Sequence, residues 1–148
     1  MRNDEQDLAG VKVLLLEGFA RQSMPMMEAL HKLGCHITTY NKSKLDMGYS
    51  SKYPDKKLLA FWDRYDELKS AKALMRVLKQ EHYDVTIPLT DFSATMLSKY
   101  KNKFEKYTHT AVNAWEVFQL ARDKLNTMIA CMENDIHCPK TLRSAESV

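Results

Sequence analysis

The stretch "VKVLLLEGFARQ", residues 11–22, decides the fold because it joins a buried strand to the start of a helix. Its first half, "VKVLLL", is almost continuously apolar. Such a run is typical of a strand that is covered on both faces, as in a parallel sheet. Gly18 follows directly and can make the tight turn from strand to helix. The stretch therefore predicts the first strand–turn–helix step of an α/β domain.

The helix predicted after this turn has clear start and stop signals. Met24, Met27 and Leu30 share one helical face. Pro25 fits only in the first turn, where its missing N–H costs little. Gly34 can end the helix in a left-handed conformation. We therefore expect the helix to end at Gly34.

The rest of the chain repeats this alternation of strands and helices. Further strands are predicted at 35–40, 56–62, 83–89 and 109–113, a long amphipathic helix at 66–81, and another helix that Asp91 caps. The polar stretch 41–55 is predicted to be a loop. Strands that alternate with helices through short links form βαβ units. The prediction is a Rossmann-like, three-layer α/β fold with a mostly parallel sheet of four or five strands.

Composition excludes several classes of protein. The 148 residues carry a net charge of only +3, too little to argue for nucleic acid. No apolar run approaches the roughly 20 residues that a membrane span needs, so no membrane contact is expected. Three cysteines without CxxC spacing indicate no metal site and favour a reducing, cytoplasmic location. All four glycines lie in the first 48 residues, which argues against a phosphate-binding P-loop after them.

Two strand ends are the candidate binding region. In an open parallel sheet, ligands bind beyond the carboxyl ends of the strands. After the first strand, a helix N-terminus is surrounded by Glu17, Gly18, Arg21 and Gln22, and its free N–H groups together with the arginine could hold an anion. After the fourth, Asp91 could contact a substrate. The alternatives are a plain turn with a solvated Arg21 and an Asp91 that only caps its helix, and the fingerprint GxGxxG is absent.

The segment "ARDKLNTMIACMENDIHCPKT", residues 121–141, reads as one more amphipathic helix followed by a turn and an extended exit. Asp123 favours the helix start, and Asn134 or Asp135 must take the turn at its end. Four side chains at helical spacing form an apolar stripe that is predicted to pack onto the domain: Leu125, Met128, Ile129 and Met132. Lys124 lies beside this stripe and is free to reach outward; taken alone, it is a solvated lysine.

These motifs resemble the N-terminal pre-ATP-grasp domain of ATP-grasp enzymes, in particular the carbamoyl-phosphate-synthase-like members and biotin carboxylase. Asp-Lys, a helix and "ENDIHCPKT" resemble the junction between that domain and the ATP-grasp domain, and "DVTIPLTDFSA" resembles its strand end. The likeness runs from residue 11 to 141. Asp135 stands where the family usually has Gly, and His137 where Pro is frequent. The resemblance implies that Lys124 contacts ATP and that Gly18, Arg21 and Asp91 lie near the acceptor substrate.

The resemblance also implies an organisation and a function. We expect flexible ends at 1–8 and 143–148, a pre-ATP-grasp domain at 9–120, and an exit segment at 121–142 that leads to an ATP-grasp domain beyond this chain. The parent would be a carboxylate–amine or ammonia ligase that uses ATP and Mg²⁺, with a small carboxylate as substrate and a homodimer possible. This chain would hold no catalytic residue, be inactive by itself and have no bound ligand. The alternative is a free-standing, flavodoxin-like module that binds a small anion or a protein partner.

Overall fold

A computed structural model describes residues 8–139 and shows two compact units, one up to Val112 and one from Asn113. The first unit is a five-stranded sheet in which every pairing is parallel. Its strands are β1 (Lys12–Leu15), β2 (His36–Asn41), β3 (Lys56–Leu59), β4 (Val85–Ile87) and β5 (His109–Thr110). The predicted α/β fold with a parallel sheet is confirmed.

The helices of the first unit connect these strands. They are α1 (Ser23–Lys32), α2 (Met47–Ser50), α3 (Glu67–Gln80), α4 (Asp91–Lys99) and α5 (Lys101–Phe104). The short helix α2 lies within 41–55, which the sequence predicts to be a loop. The signals for α1 are confirmed in part: Gly34 ends it with φ +77°, and Met27 and Leu30 are buried, but Met24 is exposed.

The two faces of β1 explain its continuous apolar sequence. Leu14 and Leu16 belong to one core cluster, with Leu74 of α3 and Met96 of α4. Val13 and Leu15 point to the opposite face and join a second cluster that includes residues of α1. Because a strand alternates its side chains between faces, the run from Val13 to Leu16 must be apolar at every position to serve both clusters, while Lys12 at the start of β1 is exposed. The three-layer arrangement follows from this.

The strand order is β3-β2-β1-β4-β5. This is the order of the doubly wound Rossmann type, whereas flavodoxin-like sheets have the order 2-1-3-4-5. The flavodoxin-like fold considered for a free-standing module is therefore wrong, although a binding role does not depend on it. The chain passes from one side of β1 to the other between β3 and β4, so the loops after β1 and β4 border a crevice at the carboxyl edge.

The second unit contains two helices, α6 (Trp115–Arg122) and α7 (Lys124–Glu133), which pack against each other. The domain boundary predicted at 120/121 stays a prediction; the contacts group α6 with α7. No side chain of either helix is buried. In the predicted apolar stripe, Leu125 and Met132 are exposed, and Met128 and Ile129 are half-buried. The expected burial of this stripe is therefore not observed.

Among the described residues, no helix is both long enough and apolar enough to cross a membrane. The predictions of flexible ends fall largely on residues 1–7 and 140–148, which lie outside the described part of the chain.

The difference in burial between the units predicts different costs for truncating an apolar side chain. Leu74 is fully buried in α3, so Leu74→Ala should lower the free energy of unfolding by about 2–5 kcal/mol. Met128→Ala should lower it by about 1 kcal/mol or less, because that side chain already contacts water. Chemical denaturation followed by circular dichroism measures both. Equal losses would show that the stripe on α7 is packed in solution.

Candidate functional site at the carboxyl edge of the sheet

The switch point of the sheet lies between the β1–α1 loop (16–22) and the β4–α4 loop (88–90), and we call this place the switch-point crevice. Leu16 N–H still bonds to the Ile87 carbonyl, so the two strands stay paired up to their ends. Beyond that point the chains leave toward helices on opposite faces. In open α/β sheets this place binds ligands. The geometry of the site therefore depends on what holds the two loops in position.

A buried glutamate, Glu17, joins the loops. Its side chain is 2% exposed, and it accepts hydrogen bonds from the Thr90 hydroxyl (2.7 Å), the Ser93 hydroxyl (2.5 Å) and the Trp62 indole N–H (3.2 Å). Thr90 ends the β4–α4 loop, Ser93 lies in the first turn of α4, and Trp62 belongs to the segment after β3. One carboxylate therefore ties together the chain segments that follow three strands.

Hydrogen bonds alone balance the charge of Glu17 within the described residues, where no Lys, Arg or His forms an ion pair with it. A buried carboxylate is costly unless its oxygens are hydrogen-bonded. Glu17 also has φ +58°, in the left-handed region that costs a non-glycine residue roughly 1–2 kcal/mol. Strained backbone of this kind persists only where the surroundings fix it, and it concentrates at functional sites.

The residue after Glu17 must be glycine because two backbones meet there. A Cβ on Gly18 would lie 2.1 Å from Asn41 Oδ1 and 3.2 Å from the Cα of Gly48. Gly48 N–H bonds to the Gly18 carbonyl at 2.7 Å. Asn41 Nδ2 donates to Thr39 and Leu58 carbonyls, so its amide is fixed. Gly18 thus has a packing role at the end of β2, beyond the turn that its sequence position predicts.

The other residues predicted in the β1–α1 loop differ in exposure and contacts. Arg21 is exposed at the start of α1 and is free to meet a ligand. Gln22 takes the N-cap position with helical backbone angles, and its side chain does not cap α1. Instead, Gln22 Nε2 donates to the Leu89 carbonyl at 2.5 Å, across the crevice. Lys42 places its ammonium 4.8 Å from the ring centre of Phe19, which adds a second cation to this edge.

Asp91 lies at the same edge but does not cap α4. Thr90 holds the N-cap position, and Asp91 is the first residue of the helix, with an exposed side chain. The predicted capping by Asp91 is therefore wrong. Thr90 takes the N-cap position because its extended backbone suits a cap. In addition, Ser93 Oγ accepts a hydrogen bond from Thr90 N–H at 3.3 Å. Asp91 remains free for a ligand, and its carboxylate favours the helix through the dipole.

In the second unit, Lys124 is the first residue of α7 and is exposed. Asp123 caps this helix, as predicted: its carboxylate accepts from Leu125 N–H (2.8 Å) and Asn126 N–H (3.0 Å). Asp135 ends the segment with φ +53°, so the left-handed turn without glycine is confirmed. Within residues 8–139, no ion pair involves Lys124. The contact of Lys124 with a nucleotide stays a prediction.

The described residues hold no cluster of three or more His, Cys, Asp or Glu side chains that could bind a metal ion.

A cavity of about 400 Å³ lies within the second unit, lined by Trp115, Gln119, Arg122, Asp123 and Asn126. Its walls come from α6 and from the start of α7. Lys124 does not line it.

Sequence reasoning brought Gly18, Arg21, Gln22 and Asp91 to one edge of the sheet but missed the central role of Glu17. The missed signal was the order of residues in "VLLLEG". A carboxylate that directly follows a strand buried on both faces has little chance of reaching water. It therefore needs donors from neighbouring loops, and Thr90, Ser93 and Trp62 supply them.

Glu17→Gln tests the proposed role of this carboxylate in stability. The amide has one acceptor oxygen in place of two, and its NH₂ group faces former donors, so we expect a loss of about 1–3 kcal/mol in the free energy of unfolding. Urea denaturation measures it. Glu133→Gln, at an exposed position on α7, is the matched control and should change stability by less than about 0.5 kcal/mol. Equal stabilities of the two variants would refute this account of the network.

Gly18→Ala tests the close approach of the backbones. The added methyl group would overlap Asn41 Oδ1, so the variant should lose about 1–3 kcal/mol of stability. The same change in an Asn41→Ala background should cost less, because the overlapping oxygen is gone. Thermal or urea unfolding of the four proteins of this double-mutant cycle gives the coupling. Strict additivity would contradict the steric explanation.

No protein-family model matches the sequence, and no curated protein matches it. Solved structures do match. PurK, an N5-carboxyaminoimidazole ribonucleotide synthetase in an ADP complex, aligns with 86% of this chain at 16% identity and a TM-score of 0.58. The biotin carboxylase domain of a thermophilic 2-oxoglutarate carboxylase bound to bicarbonate also aligns with 86%, at 16% identity and a TM-score of 0.63. A glycinamide-RNase-transformylase T from Mycobacterium tuberculosis aligns with 83%, at 14% identity and a TM-score of 0.59.

The chain spans about 30% of the length of these solved proteins: 30%, 29% and 32% in the same order. At identities of 14–16%, the likeness shows the fold alone. It confirms the α/β fold that the motifs predicted. The chain therefore shares its parallel α/β fold with part of each of these three proteins.

Proposed function

We propose that this chain is the substrate-side, N-terminal domain of an ATP-grasp ligase that joins a carboxylate to an amine or to ammonia. The observation that carries the proposal is the switch-point crevice in a fold shared with PurK and biotin carboxylase. Loops fixed by Glu17 would present an exposed cation, Arg21, at its mouth. A guanidinium is the side chain best suited to a carboxylate, because it can donate two parallel hydrogen bonds.

The positive charges at this edge favour a carboxylate as the proposed substrate. Arg21 is exposed at the N-terminus of α1, where the helix dipole also favours an anion. The ammonium of Lys42, which lies over the Phe19 ring, adds a second positive charge to this edge. Asp91, on the facing loop, could accept a hydrogen bond from a polar group elsewhere on the same molecule. We therefore assign Gly18, Arg21, Gln22 and Asp91 to the acceptor site, with Glu17 as the residue that positions their loops.

The nucleotide would be held mainly by an ATP-grasp domain outside these 148 residues, which is the proposed partner of this chain. ATP-dependent ligation activates a carboxylate by phosphorylation, and Mg²⁺ with cationic side chains stabilises the charge on the phosphates. Within this chain, the proposed contribution is the ammonium of Lys124 at the exposed start of α7. By itself the chain would position the acceptor without catalysing ligation. Its three free cysteines suit the proposed cytoplasmic location.

Lys124→Met tests this contribution in the protein that contains both domains. Methionine keeps an unbranched apolar stem and removes the charge. Stability should barely change, because Lys124 is exposed. The KM for ATP should rise about tenfold or more, since loss of a hydrogen bond to a charged group costs about 1.5–3 kcal/mol. Steady-state kinetics at saturating carboxylate measures this change.

Arg21→Gln is the matched comparison for Lys124→Met. It should raise the KM for the carboxylate and leave the KM for ATP nearly unchanged, because the proposed contacts of Arg21 are with the acceptor. Unaltered ATP kinetics in Lys124→Met would leave Lys124 as a solvated lysine and remove the strongest residue-level link to the ligase.

A second function, a free-standing module that binds a small anion, uses the same crevice and the same Arg21. The two functions differ in what the gene encodes. A continuous reading frame of about 150–250 further residues, the size of another domain or more, with a glycine-rich hairpin would support the ligase. A stop codon soon after residue 148 would contradict it and favour the binding module.

A further inference from the structure

A second charged surface lies on α3, outside the switch-point crevice. Phe61 and four residues of α3 line a cavity of about 310 Å³: Lys69, Lys72, Ala73 and Arg76. We call it the α3 basic cavity. Volumes of about 300 Å³ and above are typical of small-molecule sites. Its lining surface is apolar and comes from the Phe61 ring, from Ala73 and from the stems of three cationic side chains.

Two of the three cations of this cavity have no ion pair in the described structure. Lys69 pairs with Asp66 at 2.8 Å, and this hydrogen bond raises the pKa of Lys69. Lys72 and Arg76, by contrast, form no ion pair with any residue in the range 8–139. They stand four residues apart, so they are neighbours on one helical face, and like charges at this spacing repel each other. An anion bound between them would remove the repulsion.

The apolar part of the cavity indicates the rest of the ligand. Phe61 follows the edge strand β3, and its side chain is 51% exposed although it is a large aromatic residue. Ala73 follows Lys72 in sequence and adds a small apolar side chain to the lining. An exposed aromatic face beside cations suits a planar ring, which can stack on Phe61 while its charged group meets the guanidinium.

We propose that the α3 basic cavity binds a phosphate ester of a planar ring, the chemical class that includes nucleoside monophosphates. The phosphate takes the place between Lys72 and Arg76, where the planar guanidinium can donate two hydrogen bonds to its oxygens. The ring stacks on Phe61. This inference is independent of the proposed ligase function, because none of its residues belongs to the switch-point crevice or to α7.

Backbone amide NMR of the whole chain, titrated at low salt, tests the site with three probes. Adenosine 5′-monophosphate carries both ring and charge, adenosine carries the ring, and inorganic phosphate carries the charge. The monophosphate should saturate with a Kd on the order of 1 mM and shift the amides of Phe61 and of α3. It should bind at least tenfold more tightly than either half-ligand. Shifts confined to the switch-point crevice, or equal affinity for phosphate, would overturn the proposal.

Three variants separate the two parts of the site. Lys72→Gln combined with Arg76→Gln keeps much of both stems and should weaken the monophosphate at least tenfold. Phe61→Leu should weaken it about fivefold or more, because stacking is lost, and leave inorganic phosphate unchanged. Lys44→Gln, an exposed lysine in the loop after β2, is the control and should leave binding unchanged. Wild-type binding in the double variant would overturn the assignment, since every one of these positions is exposed and the fold should be retained.

Discussion

The buried carboxylate of Glu17 is the constraint on which the carboxyl edge of this domain depends. It sits at the end of the central strand and accepts hydrogen bonds from Thr90, Ser93 and Trp62. A carboxylate removed from water must find such donors or be strongly destabilising. The loops that supply them are therefore held in one arrangement. Loops on a rigid scaffold can carry a binding site, and here the fixing group, Glu17, is buried while Arg21 and Asp91 at the same edge are exposed.

A packing constraint beside Glu17 complements this polar one. Gly18 and Gly48 bring two backbones into contact, and the amide of Asn41 fills the remaining space. No side chain fits there, so the loop after β2 can lie close to the end of β1. This arrangement differs from a glycine-rich phosphate loop, where glycines clear space for a ligand. In this domain the glycines clear space for protein, and recognition is left to the side chains at the rim of the crevice.

Much of the fold could be predicted from local patterns, and the differences have physical causes. β1 and α3 were predictable because apolar periodicity directly records which faces are buried. The helix α2 was not, since its four residues are placed by contacts with Gly18 and Asn41 rather than by a periodic pattern. Met24, Leu125 and Met132 looked like core positions, yet they are exposed, since amphipathicity shows which face of a helix is apolar but not how deeply that face is buried. The site residues could be found because they directly follow a strand. The hydrogen bonds of Glu17 reach Thr90 and Ser93, which stand 73 and 76 positions further along the chain, and no local pattern reveals such contacts.

The central claim is that the edge held by Glu17 recognises a small carboxylate through Arg21. Its most direct test is amide NMR of this chain titrated with simple carboxylates, such as acetate and glycine, in parallel with their uncharged amides. The account predicts saturable shifts centred on Gly18, Arg21, Gln22 and Asp91, which the amides do not produce and which Arg21→Gln weakens by about tenfold, the value of one charged hydrogen bond. Shifts elsewhere in the chain, or the same titration curve for Arg21→Gln as for the wild type, would contradict it.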